Sequence, residues 1–506
     1  MKNLKFLVLF CLSALLLNCK SVTASTSPKA TIPTVYTVGD STVKNGRGDG
    51  AGGLWGWGDF IGQFLDSTKV KLENHALGGT SSRTYQNLGL WDAVHKKLKK
   101  GDYVLIQFGH NDNGPVNDTI RARGTIKGVG NETQEIDNLI TKKHEIVHSY
   151  GWYIRKIVKD AKSKGAIPII MSPIPRNDWE NGKIPRNNNS YGLWAKQIAE
   201  QENVTFIDLN EKMASKLESI GEDHVTGTYF YKRDHTHTSA KGAVMAASII
   251  IGELNKTINS LKEYIVTNPK VVFPKKKTIF LIGDSTMANS DNPNAIGWGV
   301  PFPKFCDTMR VNIINKAVGG RSTRSYTFEG KWEAAKNAFE EGDYVIIQFG
   351  HNDAGNIDKE KYRGSLKGMG DETQEVKRDS ITETVHTYGW YMRKMIRDTK
   401  EKGAIPVVLS LTPRNEWPDG KVERRTETYV NWAKEAAEIE DAFYIDVNDI
   451  VATKYEFLGK EKVKTFFPQD HTHTDIEGAT FVALTIAEAL KKNKAIGLRD
   501  FIEIDQ

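Results

Sequence analysis

The chain has 506 residues, of which 39% are apolar and 26% charged, with 44 glycines. This composition excludes a low-complexity or disordered chain, and the length exceeds what one hydrophobic core usually serves, so at least two cores are expected. A formal net charge of +6 suits solubility, but by itself it does not require a polyanionic partner, and no nucleic-acid partner is expected.

In chain order, the first expected element is an export signal. Lys2 and Lys5 precede an apolar run from Phe6 to Leu17, too short to span a bilayer comfortably as a mature helix, so residues 1–24 read as a signal peptide. Two endings compete. Leu16-Leu17-Asn18-Cys19 has the form of a bacterial lipoprotein site, making Cys19 the candidate for a lipid anchor and the one expected link to a membrane, whereas Val22-Thr23-Ala24 suits ordinary signal peptidase. Either way the expected location is outside the cytoplasm of a bacterial cell: periplasmic, extracellular or lipid-anchored at its surface. Cys11 and Cys19 fall in this segment and Cys306 alone lies in the body, so no internal disulfide is expected.

Past the leader, short β-rich apolar runs alternate with helical patterns. Strands are expected at 34–38, 70–74, 103–107, 167–171 and 205–208. Between them, Ile154, Ile157, Val158 and Ala161 recur at helical spacing over 153–164, and Gly165 is a natural stop. The acidic ETQE segments from Glu132 and Glu372 read as helix starts. Alternation of this kind predicts an α/β fold: a mainly parallel sheet covered by helices on both faces, with functional groups on loops at the carboxyl ends of strands.

The whole pattern then returns. TVGDSTV around Val38 reappears as LIGDSTM, GDYVLIQFGHND as GDYVIIQFGHND, HSYGWYIRK as HTYGWYMRK, and RDHTHT as QDHTHT, in the same order. Each copy is large enough to bury its own core, so the expected organisation is two tandem domains at 30–262 and 275–500, joined by a Pro- and Lys-containing linker near 268–277.

Ser41 and Ser285 each follow an expected strand directly, where an open α/β sheet places its active site; capping of a following helix is the alternative use of such a serine. A serine nucleophile needs a base and the base an orienting group. Asp234 and His237, like Asp470 and His473, stand three apart, so on one turn the carboxylate can hold the imidazole while its other nitrogen reaches the serine. His235 and His471 compete for the base role but adjoin their own Asp and would point elsewhere. With no Cys or acidic cluster repeated beside them, these histidines are weak evidence for a metal, and no metal or cofactor is expected. Donors for a developing oxyanion are the backbone amides of Ser41 and Gly79 and the side-chain amide of Asn111, with Ser285, Gly320 and Asn352 as counterparts.

GDST, GG, GHND and DHTH resemble the blocks of the SGNH (GDSL-like) hydrolase superfamily, over nearly all of both copies and in the right order. Within it, GDSTV, the stretch holding Arg83 and Tyr85, and GHND followed by RGTIKGVGNETQE are similar to rhamnogalacturonan acetylesterases, family 12 of the carbohydrate esterases. The resemblance implies two flavodoxin-like three-layer α/β/α domains, no metal, and deacetylation of an acetylated acidic polysaccharide or oligosaccharide, pectic rhamnogalacturonan. It places the nucleophiles on Ser41 and Ser285, the oxyanion donors on Gly79/Asn111 and Gly320/Asn352, and the Asp–His pairs on Asp234/His237 and Asp470/His473. Arg83, Arg324, Arg176, Arg414 and the extra Arg321 (Thr80 in the first copy) are candidates for meeting uronate carboxylates; bracing of a loop is the alternative for Arg83 and Arg324. Trp57, Trp298, Trp179 and Trp417 are candidate faces for sugar rings, with burial in Gly-Trp-Gly turns as the alternative. Rival expectations are another acetylated glycan such as xylan, or a tandem protein with one catalytic and one binding domain.

Overall fold

The structure, a computed structural model, describes residues 32–504 apart from 233, 360 and 379. The expected signal segment, with Cys11 and Cys19, lies outside the described residues. In the first half the strands are β1 (Thr34–Gly39), β2 (Lys71–Asn74), β3 (Tyr103–Gln107), β4 (Thr133–Asp137), β5 (His144–His148), β6 (Ile167–Met171) and β7 (Thr205–Ile207). The second half repeats them as β8 (Lys277–Gly283), β9 (Val311–Asn315), β10 (Tyr344–Gln348), β11 (Thr373–Arg378), β12 (Ile381–His386), β13 (Ile405–Leu409) and β14 (Phe443–Ile445).

Each half holds a five-stranded sheet, ordered β2-β1-β3-β6-β7 and β9-β8-β10-β13-β14. Every pairing in both sheets is parallel. The central strands are largely apolar because both of their faces are covered; within β1 the buried Thr37 donates its hydroxyl to Asn74 Oδ1 at 2.7 Å. Residue alternation divides the burial: Val35, Leu105 and Ile169 pack with helix Ala240–Thr257 on one face, while Tyr36, Val38, Val104 and Ile106 pack with helix Tyr150–Ser163 on the other. The second half forms the same two cores around Ile279, Leu281 and Ile346 and around Phe280, Ile282 and Val345.

One element differs from the sequence expectation. The ETQE segments do not start helices. They lead into two-stranded antiparallel hairpins, β4 with β5 and β11 with β12, outside the main sheets. In β4 only Ile136 is buried among exposed Thr133, Gln134, Glu135 and Asp137. Ile136 stands opposite Glu145, on the same face of the hairpin as the buried Val147, and cross-strand pairing satisfies the backbone instead of a helical ladder.

Candidate active site

Ser41 sits in the turn that ends β1. The turn closes through Val43 N–H and Lys44 N–H, both donating to Asp40 O at 3.1 Å. Gly39 is needed at its base, since a Cβ there would lie 2.5 Å from Gln107 O. No helix follows the serine directly, so helix capping is not its use. Behind it runs a buried chain of hydrogen bonds: Trp57 Nε1 donates to Gln107 Oε1 at 2.9 Å, Gln107 Nε2 to Thr42 Oγ1 at 2.5 Å, and Thr42 Oγ1 to Asp40 Oδ1 at 2.7 Å. The second half repeats the anchor with Trp298 Nε1 on Gln348 Oε1 at 2.8 Å and Thr286 Oγ1 on Asp284 Oδ1 at 2.8 Å. Burial pushes the Asp284 carboxyl up to about 6.

The Asp and His arrive on one turn just before a long helix, Ala240–Thr257 in the first half and Ile476–Lys492 in the second. Asp234 Oδ1 accepts the N–H groups of Thr236 and His237, each at 2.8 Å, which shapes the turn. His237 Nδ1–H then donates to Asp234 Oδ2 at 2.7 Å, a tautomer that leaves Nε2 to accept the Ser41 hydroxyl at 2.8 Å. The second half gives 2.7 Å for His473 Nδ1 on Asp470 Oδ2 and 2.9 Å between His473 Nε2 and Ser285 Oγ. Partial burial would raise the Asp234 carboxyl, but the bonds from the His237 ring and from the two backbone amides outweigh it and hold it at about 2. Asp470 is lowered for the same reasons. The competing His235 turns outward to Asp178 Oδ1 at 2.6 Å, and His471 toward Glu416 at 3.4 Å. Trp55 and Thr238 exchange two bonds, at 2.9 and 2.8 Å, stitching the loop after Ser41 to the His237 turn.

Opposite the imidazole lies the Gly-Gly turn. A Cβ on Gly78 would lie 3.4 Å from the Ser41 Cβ, and Gly79 and Gly320 have φ of +81° and +74°, backbone that favours glycine. Asn111 is buried and donates one amide N–H to Thr80 O at 2.8 Å; Asn352 does the same to Arg321 O at 3.0 Å. A side-chain amide carries a second N–H, and Asn111 and Asn352 each retain one for a ligand. Sequence reasoning missed several neighbours of this turn. Arg123 bonds to it directly and Arg363 to the Asn352 amide beside it, Gln107 and Gln348 support the serine, and the His110 imidazole is held neutral by burial, down to about 4. Their recurrence in both copies, inside QFGHND and in the RG that follows it, was the available signal.

Four expected substrate contacts are corrected. Arg83 and Arg324 are fully buried. Arg83 grips Glu145 through Nε at 2.6 Å and Nη2 at 2.7 Å, and its Nη1 donates to Val116 O and Gly124 O. Arg324 does the same with Glu383, Ile357 O and Gly364 O. These guanidiniums have no free edge for a uronate. Trp57 and Trp298, 0% and 1% exposed, point into the core, so neither offers a face to a sugar ring. Trp179 and Trp417 are half-buried and donate to Asn177 and Asn415 at 2.8 and 2.7 Å.

Beside the first site opens a cleft of about 210 Å³, lined by His110, Arg176, Asp178, Asn187 and Tyr191 among others. Arg176 leans on the His237 turn through Thr236 Oγ1 at 2.5 Å. In the second half Arg425 stands at the place of Asn187, five residues after the Gly of the repeated Gly-Lys pair, and is paired with Glu423 at 3.3 Å, while the Nε of Arg414 is buried without a partner. Arg321 is drawn to Glu329 at 3.0 Å. Among the described residues no group of three or more His, Cys, Asp or Glu is placed to hold a metal ion, and no helix is long and apolar enough to cross a membrane.

The sequence pattern of GDSL-like Lipase/Acylhydrolase proteins matches residues 35–250, and that of a related GDSL-like Lipase/Acylhydrolase family matches residues 281–471. A rhamnogalacturonan acetylesterase of Emericella nidulans is 40% identical over 214 residues, 42% of this chain and 84% of that protein. The probable rhamnogalacturonan acetylesterase YesY of Bacillus subtilis is 30% identical over 236 residues, 46% and 97% of the two chains. The solved structure of Axe2, an acetylxylan esterase from Geobacillus stearothermophilus, aligns at 19% identity with a TM-score of 0.32, covering 47% of this chain and 97% of its own.

Proposed function

The chain belongs to the GDSL-like lipase/acylhydrolase family, and from that premise we propose that each half is a serine acetylesterase acting on pectic rhamnogalacturonan. The observation that carries the chemistry is the unbroken Asp–His–Ser hydrogen-bond chain, present in both halves with contacts of 2.7 to 2.9 Å. The names of the two relatives support the class of carbohydrate esterase and point to the substrate.

In the first half, His237 Nε2 takes the proton of Ser41 as Oγ attacks the acetyl carbonyl carbon. The imidazolium is steadied by Asp234, and the tetrahedral oxyanion accepts from the N–H groups of Ser41, Gly79 and Asn111. Collapse breaks the bond to the sugar oxygen, which leaves with the proton from His237, and Ser41 is acetylated. Water then attacks the acetyl-serine with His237 again as base, releasing acetate and restoring the hydroxyl. Ser285, His473, Asp470, Gly320 and Asn352 do the same in the second half.

Acetate release from acetylated rhamnogalacturonan, acetylated xylan and a short synthetic acetyl ester is the test, run on Ser41→Ala, Ser285→Ala and the double variant. Each single variant is expected to keep part of the activity on rhamnogalacturonan and the double variant none. Residual turnover in the double variant overturns the nucleophiles, a dead single variant overturns two working sites, and faster release from xylan overturns the substrate.

A further inference from the structure

In each half a second arginine stands over the donors of the hole. Arg123 Nη1 donates to Gly79 O at 2.8 Å, and Arg363 Nη1 donates to Asn352 Oδ1 at 3.1 Å. Both are delivered by a closely packed loop. A Cβ on Gly124 would lie 1.9 Å from Gly114 O, and one on Gly364 would lie 2.0 Å from Gly355 O, so neither chain position can hold anything larger than glycine. Gly124 O and Gly364 O are in turn gripped at 2.8 Å by the buried Arg83 and Arg324. The Arg123 and Arg363 side chains are thus set on a rigid base, aimed at the Gly-Gly turn and its Asn partner.

The consequence differs between the halves. A guanidinium has donors alone, so it can face only the oxygen of the Asn352 amide, while Arg321 O can face only its nitrogen. Those two neighbours permit one orientation of the amide, the one that leaves an N–H toward the site; the flipped amide would present its oxygen to the oxyanion. In the first half the restraint falls on main chain. Gly79 lacks the Cβ that would confine its backbone, and Arg123 holds its carbonyl while Asn111 holds that of Thr80.

We propose that Arg123 and Arg363 are positioning residues that keep the oxyanion donors aligned for the transition state, Arg123 through the Gly79 main chain and Arg363 through the Asn352 amide. This rests on the esterase reading of the two sites. Oxyanion donors act when charge develops on the carbonyl oxygen, so misalignment costs turnover more than substrate binding.

The test uses the full chain with one site at a time: Arg123→Lys and Arg123→Met with Ser285→Ala, and Arg363→Lys and Arg363→Met with Ser41→Ala. kcat and KM are measured on a small synthetic acetyl ester, together with inhibition by methylboronic acid, whose serine adduct places an oxygen in the hole. The Met variants are expected to lose about 10- to 100-fold in kcat with KM changed less than about twofold, somewhat less than deletion of a donor itself. Boronic acid inhibition should weaken by the same factor as kcat/KM, and the Lys variants, which restore a donor, should recover most of the loss. If a Met variant does not fold, its Lys partner decides, with a fall of about three- to tenfold in kcat expected. Unchanged kcat and boronic acid inhibition, or a loss confined to KM, overturns the proposal. Acetate release by the Ser41→Ala, Ser285→Ala double variant overturns the esterase reading instead, so the two failures are distinct.

Discussion

Replacing Asp234 by Asn in a chain whose second site is silenced by Ser285→Ala probes the triad most directly. Asn can keep its oxygen on the Thr236 and His237 amides, where the carboxylate accepts at 2.8 Å, so the turn should persist. Its NH2 then faces His237 Nδ1, where the carboxylate accepts at 2.7 Å. Two donors cannot share that bond, so the ring takes the tautomer with Nδ1 as acceptor and the proton on Nε2. The proton then points at Ser41 Oγ, 2.8 Å away, and the base is gone. The expected loss is about 10⁴-fold in kcat, equivalent to about 5 kcal/mol of barrier, with KM little changed. Acetate release under saturating ester measures kcat directly, and a thermal melt shows that the fold is retained. A fall smaller than about tenfold would refute the argument, because it would mean that Asp234 does not set the tautomer of the working base.

Arg324→Met leaves Glu383, buried with it, without a counter-charge, and should destabilise the second half by about 3–5 kcal/mol in denaturant unfolding; a shift under about 1 kcal/mol contradicts the buried bridge. Trp57→Phe removes the donor to Gln107 Oε1 and should cost about 1–3 kcal/mol of stability. Because the ring is buried, KM for polysaccharide should stay within about twofold, and a large rise in KM would return Trp57 to the sugar surface. Asp112 is buried beneath Ser82, and burial pushes its carboxyl up to about 7 from an ordinary value of about 3.9. The folded state therefore binds the proton more tightly, so the group's stabilising contribution is complete below about pH 4 and disappears as pH rises through about 7. The melting temperature of the native chain minus that of Asp112→Asn should fall steadily from pH 4 to 7; a flat or rising difference refutes the shift.

Duplication made much of the site legible. Strand limits at 103–107 and 167–171 coincide with β3 and β6, because a strand covered on both faces is an apolar run with sharp ends. Asp234 and His237 were legible because a three-residue spacing puts both side chains on one turn. Arg123 was not, since its partner Gly79 is distant in sequence and nothing periodic links them. Trp57 misled because glycines flank it, which suggests an open turn; here the small neighbours let the turn close on Gln107, and Gly56 has no room for a Cβ beside Val43 O. The acidic start of ETQE suggested a helix dipole, but the residues that follow bury one side chain in alternation, and pairing with β5 and β12 decided the matter.

The hairpins beside the sheets have a bearing on how this chain can be shortened or recombined. They look expendable, and they vary: in the first, β4 ends at Asp137 and β5 begins at His144, while in the second, β11 ends at Arg378 and β12 begins at Ile381. Yet each carries the carboxylate, Glu145 or Glu383, that sits against the buried arginine. A trimmed enzyme lacking the hairpin would keep a positive charge inside the fold with nothing to answer it, and would lose the brace beneath the loop of Arg123 or Arg363. Loop length is therefore free to change there, but the one acidic position is a fixed part that any chimera of the two halves must transplant together with its arginine.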